Sequence, residues 1–312
     1  MSLFHNYGMA NIVTTNNLTK AYRSKLALDH VTFDVQEGDI LGLVGKNGAG
    51  KTTLIRVLTD VARPTSGSYT LFGKSDPDEI CKARRDVAAM VETPAFFGYM
   101  DATQNLINRA ILMNVKGDLK KYADDLLDFV GLSEVKNSHK KVSQFSLGMK
   151  QRLGIAIALM GDPKLLILDE PTNGLDPEGI VQIRNLLLRL NKEKGITIII
   201  SSHILSELSK LATRYCFLKD GRVVKLISAE ELETAGEKRM HICAKDNAKA
   251  LSLLQESGFV AQAIGEEILI TKYPSSAEIM NLLIKNGVEL TKFHEDEAQL
   301  ESIYMELMEE ER

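Results

Sequence analysis

The 312-residue chain contains no tryptophan and only three cysteines. Cys81, Cys216 and Cys243 are odd in number and far apart, so neither a disulfide framework nor a metal-binding cysteine spacing is expected. Such usage fits reduced thiols in a cytosolic protein. Long apolar runs are also missing. The longest, such as ITIII and LLIL, fall far short of the roughly 20 residues that span a bilayer, so the chain is not expected to cross a membrane by itself. The opening stretch MSLFHNYGMANIV lacks a basic region followed by an apolar one, so no secretory signal is expected. There is no excess of positive charge. Lys and Arg number 38 against 42 Asp and Glu, a net charge of −4, and no nucleic-acid partner is expected. What remains is 44% hydrophobic and 26% charged, the balance of an ordinary globular protein of one large or two modest domains.

Hydrophobic periodicity orders the rest. VTFDVQ sets Val31, Phe33 and Val35 on one face of a half-buried strand, and SGSYTLFG alternates again through Tyr69 and Leu71. DILGLVG, KLLILDE and GITIIISS are apolar without alternation, as parallel strands covered on both faces must be. The helical stretch EGIVQIRNLLLRLNKEKG between the last two makes a β-α-β unit. From about residue 99 to 160 the pattern reads as mainly helical, with Asp101 a predicted N-cap and Gly131 a helix stop. From residue 239 the order is strand, helix, two strands, helix, strand and a last amphipathic helix. That order predicts a small ferredoxin-like α+β domain over 239–312, after a linker at 229–238. His241 and His294 fall in strand-like runs and are read as structural, and no titratable cluster is expected in this tail.

Chemistry concentrates at the ends of the apolar strands. GKNGAGKT follows the strand DILGLV, precedes the helix-like TLIRVLTD, and matches the phosphate-binding loop G-x-x-x-x-G-K-[ST]. Gly45, Gly48 and Gly50 let the backbone curl so that N–H groups point inward, including those of Lys46, Asn47, Ala49 and Thr53. Lys51 supplies a cation for the β and γ phosphates and Thr52 a hydroxyl for Mg²⁺. Asp169 and Glu170 end a second apolar strand, where two adjacent acids are costly unless something there needs them. A phosphate-loop enzyme needs both. Asp169 is assigned to the metal and Glu170 to orienting and deprotonating water. His203 follows the next apolar strand, emerges at the same edge of the sheet, and is placed beside the γ-phosphate. A second anion site is suggested by FSLGMKQR, where Ser146 and Gly148 stand at the start of the helical run LGIAIALM.

Over residues 11 to about 225 these motifs, in this order, resemble the ATP-binding subunits of ABC transporters. GKNGAGKT is similar to the Walker A loop, LLILDE to Walker B with its catalytic glutamate, NGLDP with Asp176 to the D-loop, and His203 to the switch histidine. Tyr22, in LTKAYRSK, stands where the family stacks an aromatic ring on adenine. FSLGMKQR resembles the signature sequence, usually L-S-G-G-Q, with Phe145, Leu147 and Met149 as departures. The resemblance implies that two cassettes face head to tail, so that the signature helix of one holds the phosphate bound by the other. The partner is then a second copy of the chain or a homologous cassette. Glu92, in MVETPAFFGYM, stands where the family usually has Gln. Here it is expected to reach Mg²⁺ and to hinge the helical subdomain.

The resemblance implies a P-loop NTPase fold: a parallel core, an antiparallel β subdomain and a helical subdomain at about 95–160, together spanning 9–228. It implies ATP and Mg²⁺, an integral-membrane permease partner, and a cytoplasmic place on the inner face of the cell membrane. VETP and FSLGMKQRLGIA are similar to the bacitracin-resistance type, which points to export of an antibiotic peptide or lipid-like compound. Two other readings compete. A non-transport ATPase acting on nucleic acid or ribosomes resembles tandem cassettes or cassettes split by coiled coils, and this chain has one phosphate loop and no long heptad run. A regulatory module clamped by ATP without turnover is opposed by Glu170.

Overall fold

A computed structural model describes residues 10–23, 25–91, 96–136, 138–235, 239–265, 267–271, 273–296, 304 and 307. Contacts divide the chain into two units, Met1–Ile227 and Ser228–Arg312. In the first unit the elements run β1 (Asn11–Tyr22), β2 (Lys25–Gln36), β3 (Ile40–Val44), α1 (Lys51–Leu58), β4 (Ser66–Leu71), α2 (Pro77–Ala83) and β5 (Val87–Met90). They continue with α3 (Ala102–Leu112), α4 (Leu119–Phe129), α5 (Leu147–Ala158), β6 (Leu165–Asp169), α6 (Pro177–Lys194), β7 (Thr197–Ser201), α7 (Leu205–Leu208), β8 (Arg214–Lys219) and β9 (Arg222–Ser228).

Two sheets build this unit. β2-β1-β4 is antiparallel, and the six-stranded sheet has the order β5-β6-β7-β3-β8-β9. β5, β6, β7, β3 and β8 run parallel. β3, β6 and β7 are buried at every position, as their unbroken apolar sequences require. Leu41, Leu43, Leu165, Ile167 and Ile199 of the parallel sheet share one core with Leu54, Ile55 and Leu58 of α1 and with Val31, Phe33 and Val35 of β2. Each such side chain contributes about 1.5–3 kcal/mol by leaving water. β6, β7 and β3 are consecutive neighbours and point the same way, so their C-terminal ends open on one edge. Between β5 and β6 lie α3, α4 and α5. Asp101 caps α3 in a full capping box with Gln104, as its sequence predicts.

The second unit holds α8 (Ala229–Ala235), β10 (Arg239–Ala244), α9 (Asn247–Glu256), β11 (Val260–Ile264), β12 (Glu267–Thr271), α10 (Ser276–Lys285) and β13 (Leu290–Asp296). The sheet order β11-β12-β10-β13 is antiparallel throughout, a split β-α-β arrangement. Met240, Ile242, Ile268 and Ile270 face Ala250 and Leu254 of α9 and Ile279 and Leu283 of α10. One expectation is corrected. Residues 229–235, read as linker, form α8. Ser228 accepts a hydrogen bond from the Glu231 amide (2.9 Å), and Glu231 accepts one from the Ser228 amide (2.8 Å). This reciprocal cap satisfies two donors that a linker would leave to water. The amphipathic helix expected over 300–310 lies outside the described residues, apart from 304 and 307.

Candidate functional site

β3 ends at Val44, and the chain then curls through residues 45–50 into α1. Gly45 passes so close to β8 that a Cβ there would stand 2.5 Å from the Leu218 carbonyl oxygen. Gly50 has φ +111°, and its Cβ would stand 2.8 Å from the Ala27 carbonyl oxygen. Neither position admits a side chain. Lys46 and Asn47 are exposed at the tip, whereas Ala49 and Lys51 are buried. Gly50 is the N-cap of α1 and offers no side-chain cap, so the helix dipole and first-turn amides, beginning with Lys51, Thr52 and Thr53, are left for an anion. Lys51 is 5% exposed. Its Nζ donates to the carbonyls of Gly45 (2.6 Å) and Lys46 (3.2 Å). Burial pushes its pKa down, and the carboxylates of Glu170 and Asp169 oppose that shift. A phosphate here adds to their pull and favours the charged ammonium further.

The two acids stand at the end of β6, next to β7. Asp169 pairs in register with Ser201 and accepts a hydrogen bond from the Ser201 hydroxyl (2.6 Å). The same hydroxyl oxygen accepts from the Glu170 amide (2.9 Å). Ser201 is fully buried and so fixes both acids at once. Sequence reasoning missed it. Its place in IIISSH shows only a strand end, and its role depends on the register of β6 against β7. Glu170 has φ +47°, a conformation that non-glycine residues rarely adopt and that recurs at functional sites. This turn carries its carboxylate out of the strand direction to His203, whose Nδ1 lies 2.9 Å from Glu170 Oε2. Lys51, Asp169, Glu170 and His203 therefore form one group at the C-terminal edge of the parallel sheet.

The second group is the start of α5 with the loop before α6. Ser146 is the N-cap of α5, and its Oγ accepts from the Met149 amide (3.2 Å). Its hydroxyl proton remains able to donate. The first turn of α5 holds no acidic residue. A Cβ on Gly148 would lie 3.8 Å from Leu175, and one on Gly174 would lie 3.2 Å from Leu147, so this helix start packs directly on the loop carrying Asp176. Asp176 caps α6 by accepting from the Gly179 amide (3.2 Å).

Tyr22 ends β1, is 42% exposed, and has the Lys20 ammonium 4.8 Å from its ring centre. It lines an open cavity of about 670 Å³ with Lys20, Arg63 and Arg56 of α1, the helix that the phosphate loop opens. A flat ring beside three cations suits a nucleotide. Glu92 lies outside the described residues.

The matches with known proteins agree with this layout. The ABC transporter family profile matches residues 28–173. Over 304 residues the chain is 38% identical to the bacitracin transport ATP-binding protein BcrA of Bacillus licheniformis, covering 96% of this chain and 98% of that one. The chain belongs to the ABC transporter ATP-binding family. Among solved structures, this ABC ATP-binding subunit resembles cbiO1 of Clostridium perfringens, described as part of the ABC transporter complex cbiONQ. The TM-score is 0.65 at 30% identity, over 72% of this chain and 90% of that one. It also resembles the dimeric cassette MJ0796 bound to ADP and Pi in a post-hydrolysis state, with a TM-score of 0.62 at 28% identity, over 70% and 98%. The ABC subunit is thus an ATPase coupled to transport. Among its described residues no helix is long and apolar enough to cross a membrane.

The second unit corrects one reading. The tail, expected to hold no titratable cluster, has one: His241 and His294, read as structural, converge with Glu267 from three strands. In sequence they are 26 and 27 residues apart, so only the sheet order reveals them.

Proposed function

We propose that two copies of this subunit, or one copy and a homologous cassette, close head to tail around ATP and drive a separate membrane permease that exports an antibiotic peptide or lipid-like compound. The observation that carries the reading is the pairing of Glu170 with His203 beside buried Lys51, a complete hydrolytic group on a phosphate loop. Lys51 and the loop amides hold the phosphates. Thr52 and Asp169 are hard oxygen donors that fit Mg²⁺, with Ser201 orienting the carboxylate. Bound there, the ion neutralises phosphate charge.

Glu170 takes a proton from the attacking water at its carboxylate, and His203 holds that carboxylate in line and stabilises the charge on the γ-phosphate. Tyr22 stacks on the adenine. Ser146, Gly148 and Asp176 act across the interface: the Ser146 hydroxyl and the α5 amides donate to the γ-phosphate bound by the partner. Loss of that phosphate removes the bridge and the two chains part. Glu92 links the metal side to the helical subdomain, which passes the motion to the permease. The chain acts at the inner face of the cell membrane through that permease, and no nucleic acid takes part. The C-terminal unit is ferredoxin-like and accessory.

The export reading rests on the relatives' names and is tested in cells. A sensitive Gram-positive host expressing this subunit with its cognate permease is challenged with bacitracin and with a lantibiotic. Raised resistance that Lys51→Met abolishes supports export of this class. Equal sensitivity with and without the pair, at matched expression, contradicts it.

A further inference from the structure

The cluster in the C-terminal unit has the composition and placement of a metal centre. β10 presents Met240 and Ile242 to the helices and His241 to the opposite face. His241 is the direct register partner of His294 on β13. On β12 its partner is Leu269, so Glu267, two residues away, stands diagonally on the same face. The two imidazole rings lie 4.8 Å apart, centre to centre, and 14° from parallel. Glu267 Oε2 lies 3.1 Å from His241 Nδ1. One ligand atom from each residue lies within 4.8 Å of the other two.

We propose that His241, Glu267 and His294 bind a divalent transition-metal ion of the zinc type on the open face of the C-terminal sheet. Two imidazoles and one carboxylate form a donor set that selects Zn²⁺ and its neighbours over Mg²⁺ and Ca²⁺, which take oxygen ligands. Tetrahedral bonds of about 2.0–2.1 Å set ligand atoms about 3.4 Å apart. The ligand atoms, now within 4.8 Å of one another, reach that value by rotation of the side chains, which turns the stacked rings toward a common point with no change in backbone register. The strands hold all three Cα positions, so the site is largely organised in advance.

Lys292 acts as a positioning residue. Its Nζ donates to Glu267 Oε1 (2.7 Å), which leaves Oε2 turned to His241. This is the supporting contact that metal-binding carboxylates commonly have. Cys243 lies two residues along β10, opposite Lys292, and is the nearest competing thiol on that face by register.

Chelator-treated full-length protein, without nucleotide, is titrated with Zn²⁺ by calorimetry, and with Co²⁺ by visible absorption. The wild type is expected to bind one ion per chain, with d–d bands of a tetrahedral Co²⁺ complex. His241→Ala, His294→Gln and Glu267→Gln are each expected to weaken binding at least tenfold, the lower range for disturbing a metal site. Lys51→Met and Cys243→Ser retain it. Circular dichroism of every variant, and the ATP affinity of all but Lys51→Met, report whether the chain is folded. Absence of Zn²⁺ binding by the wild type overturns the proposal. So does wild-type affinity in the folded histidine variants, or binding lost in Cys243→Ser alone.

Discussion

Glu170→Gln is expected to slow ATP hydrolysis by about 10²–10⁴-fold while ATP affinity is kept or strengthened. The exchange preserves size and the hydrogen-bond distance to His203, 2.9 Å in the native chain. It removes only the ability to accept a proton, together with one negative charge near the γ-phosphate. The φ of +47° at this residue belongs to the backbone, which Gln tolerates as Glu does, so the turn at the end of β6 survives. The measurement is single-turnover hydrolysis beside equilibrium binding of a fluorescent ATP analogue. A rate within threefold of wild type would mean that water is activated elsewhere and that the Glu170–His203 pair is structural.

Gly45→Ala is expected to abolish nucleotide binding and to destabilise the first unit by about 1–3 kcal/mol, the usual cost of overpacking. A Cβ at Gly45 meets the Leu218 backbone oxygen at 2.5 Å and the Ala49 side chain at 3.0 Å. Neither is the free end of a flexible chain, so the loop itself must move. The Gly45 carbonyl also accepts from Lys51 Nζ at 2.6 Å, so displacement moves the cation as well. Gly48→Ala is the internal comparison. It has φ +85° but nothing within 4 Å of its Cβ, so its cost is conformational strain alone, about 1–2 kcal/mol. Thermal unfolding and ATP binding of the two variants check the contrast. Equal behaviour would show that the close approach to β8 does not control the loop.

Much of this architecture was legible because its signals are contiguous. GKNGAGKT, LLILDE and FSLGMKQR each carry their residues within one turn or strand end, and unbroken apolar runs announced the parallel strands. The βαββαβ order of the tail could likewise be read from periodicity. Features that depend on register were not legible. Ser201 acts by facing Asp169 across two strands, and nothing in IIISSH distinguishes it from Ser202. His241, Glu267 and His294 meet only because β10 lies between β12 and β13. α8 was missed for a local reason. AEELETA is short and acidic and resembles a linker, yet Ser228 and Glu231 form its cap.

The central claim is that the start of α5 in one chain holds the ATP bound by the phosphate loop of another. Sedimentation of Glu170→Gln with and without Mg-ATP, beside the double variant with Ser146→Arg, tests it directly. An Arg at position 146 removes the cap that Met149 uses and fills the space meant for the γ-phosphate. Ser146→Thr keeps the hydroxyl and serves as the control. The account predicts a nucleotide-dependent dimer for Glu170→Gln, retained with Ser146→Thr and abolished with Ser146→Arg. A dimer that persists with Ser146→Arg, or a monomer in every case in the presence of Mg-ATP, would contradict it.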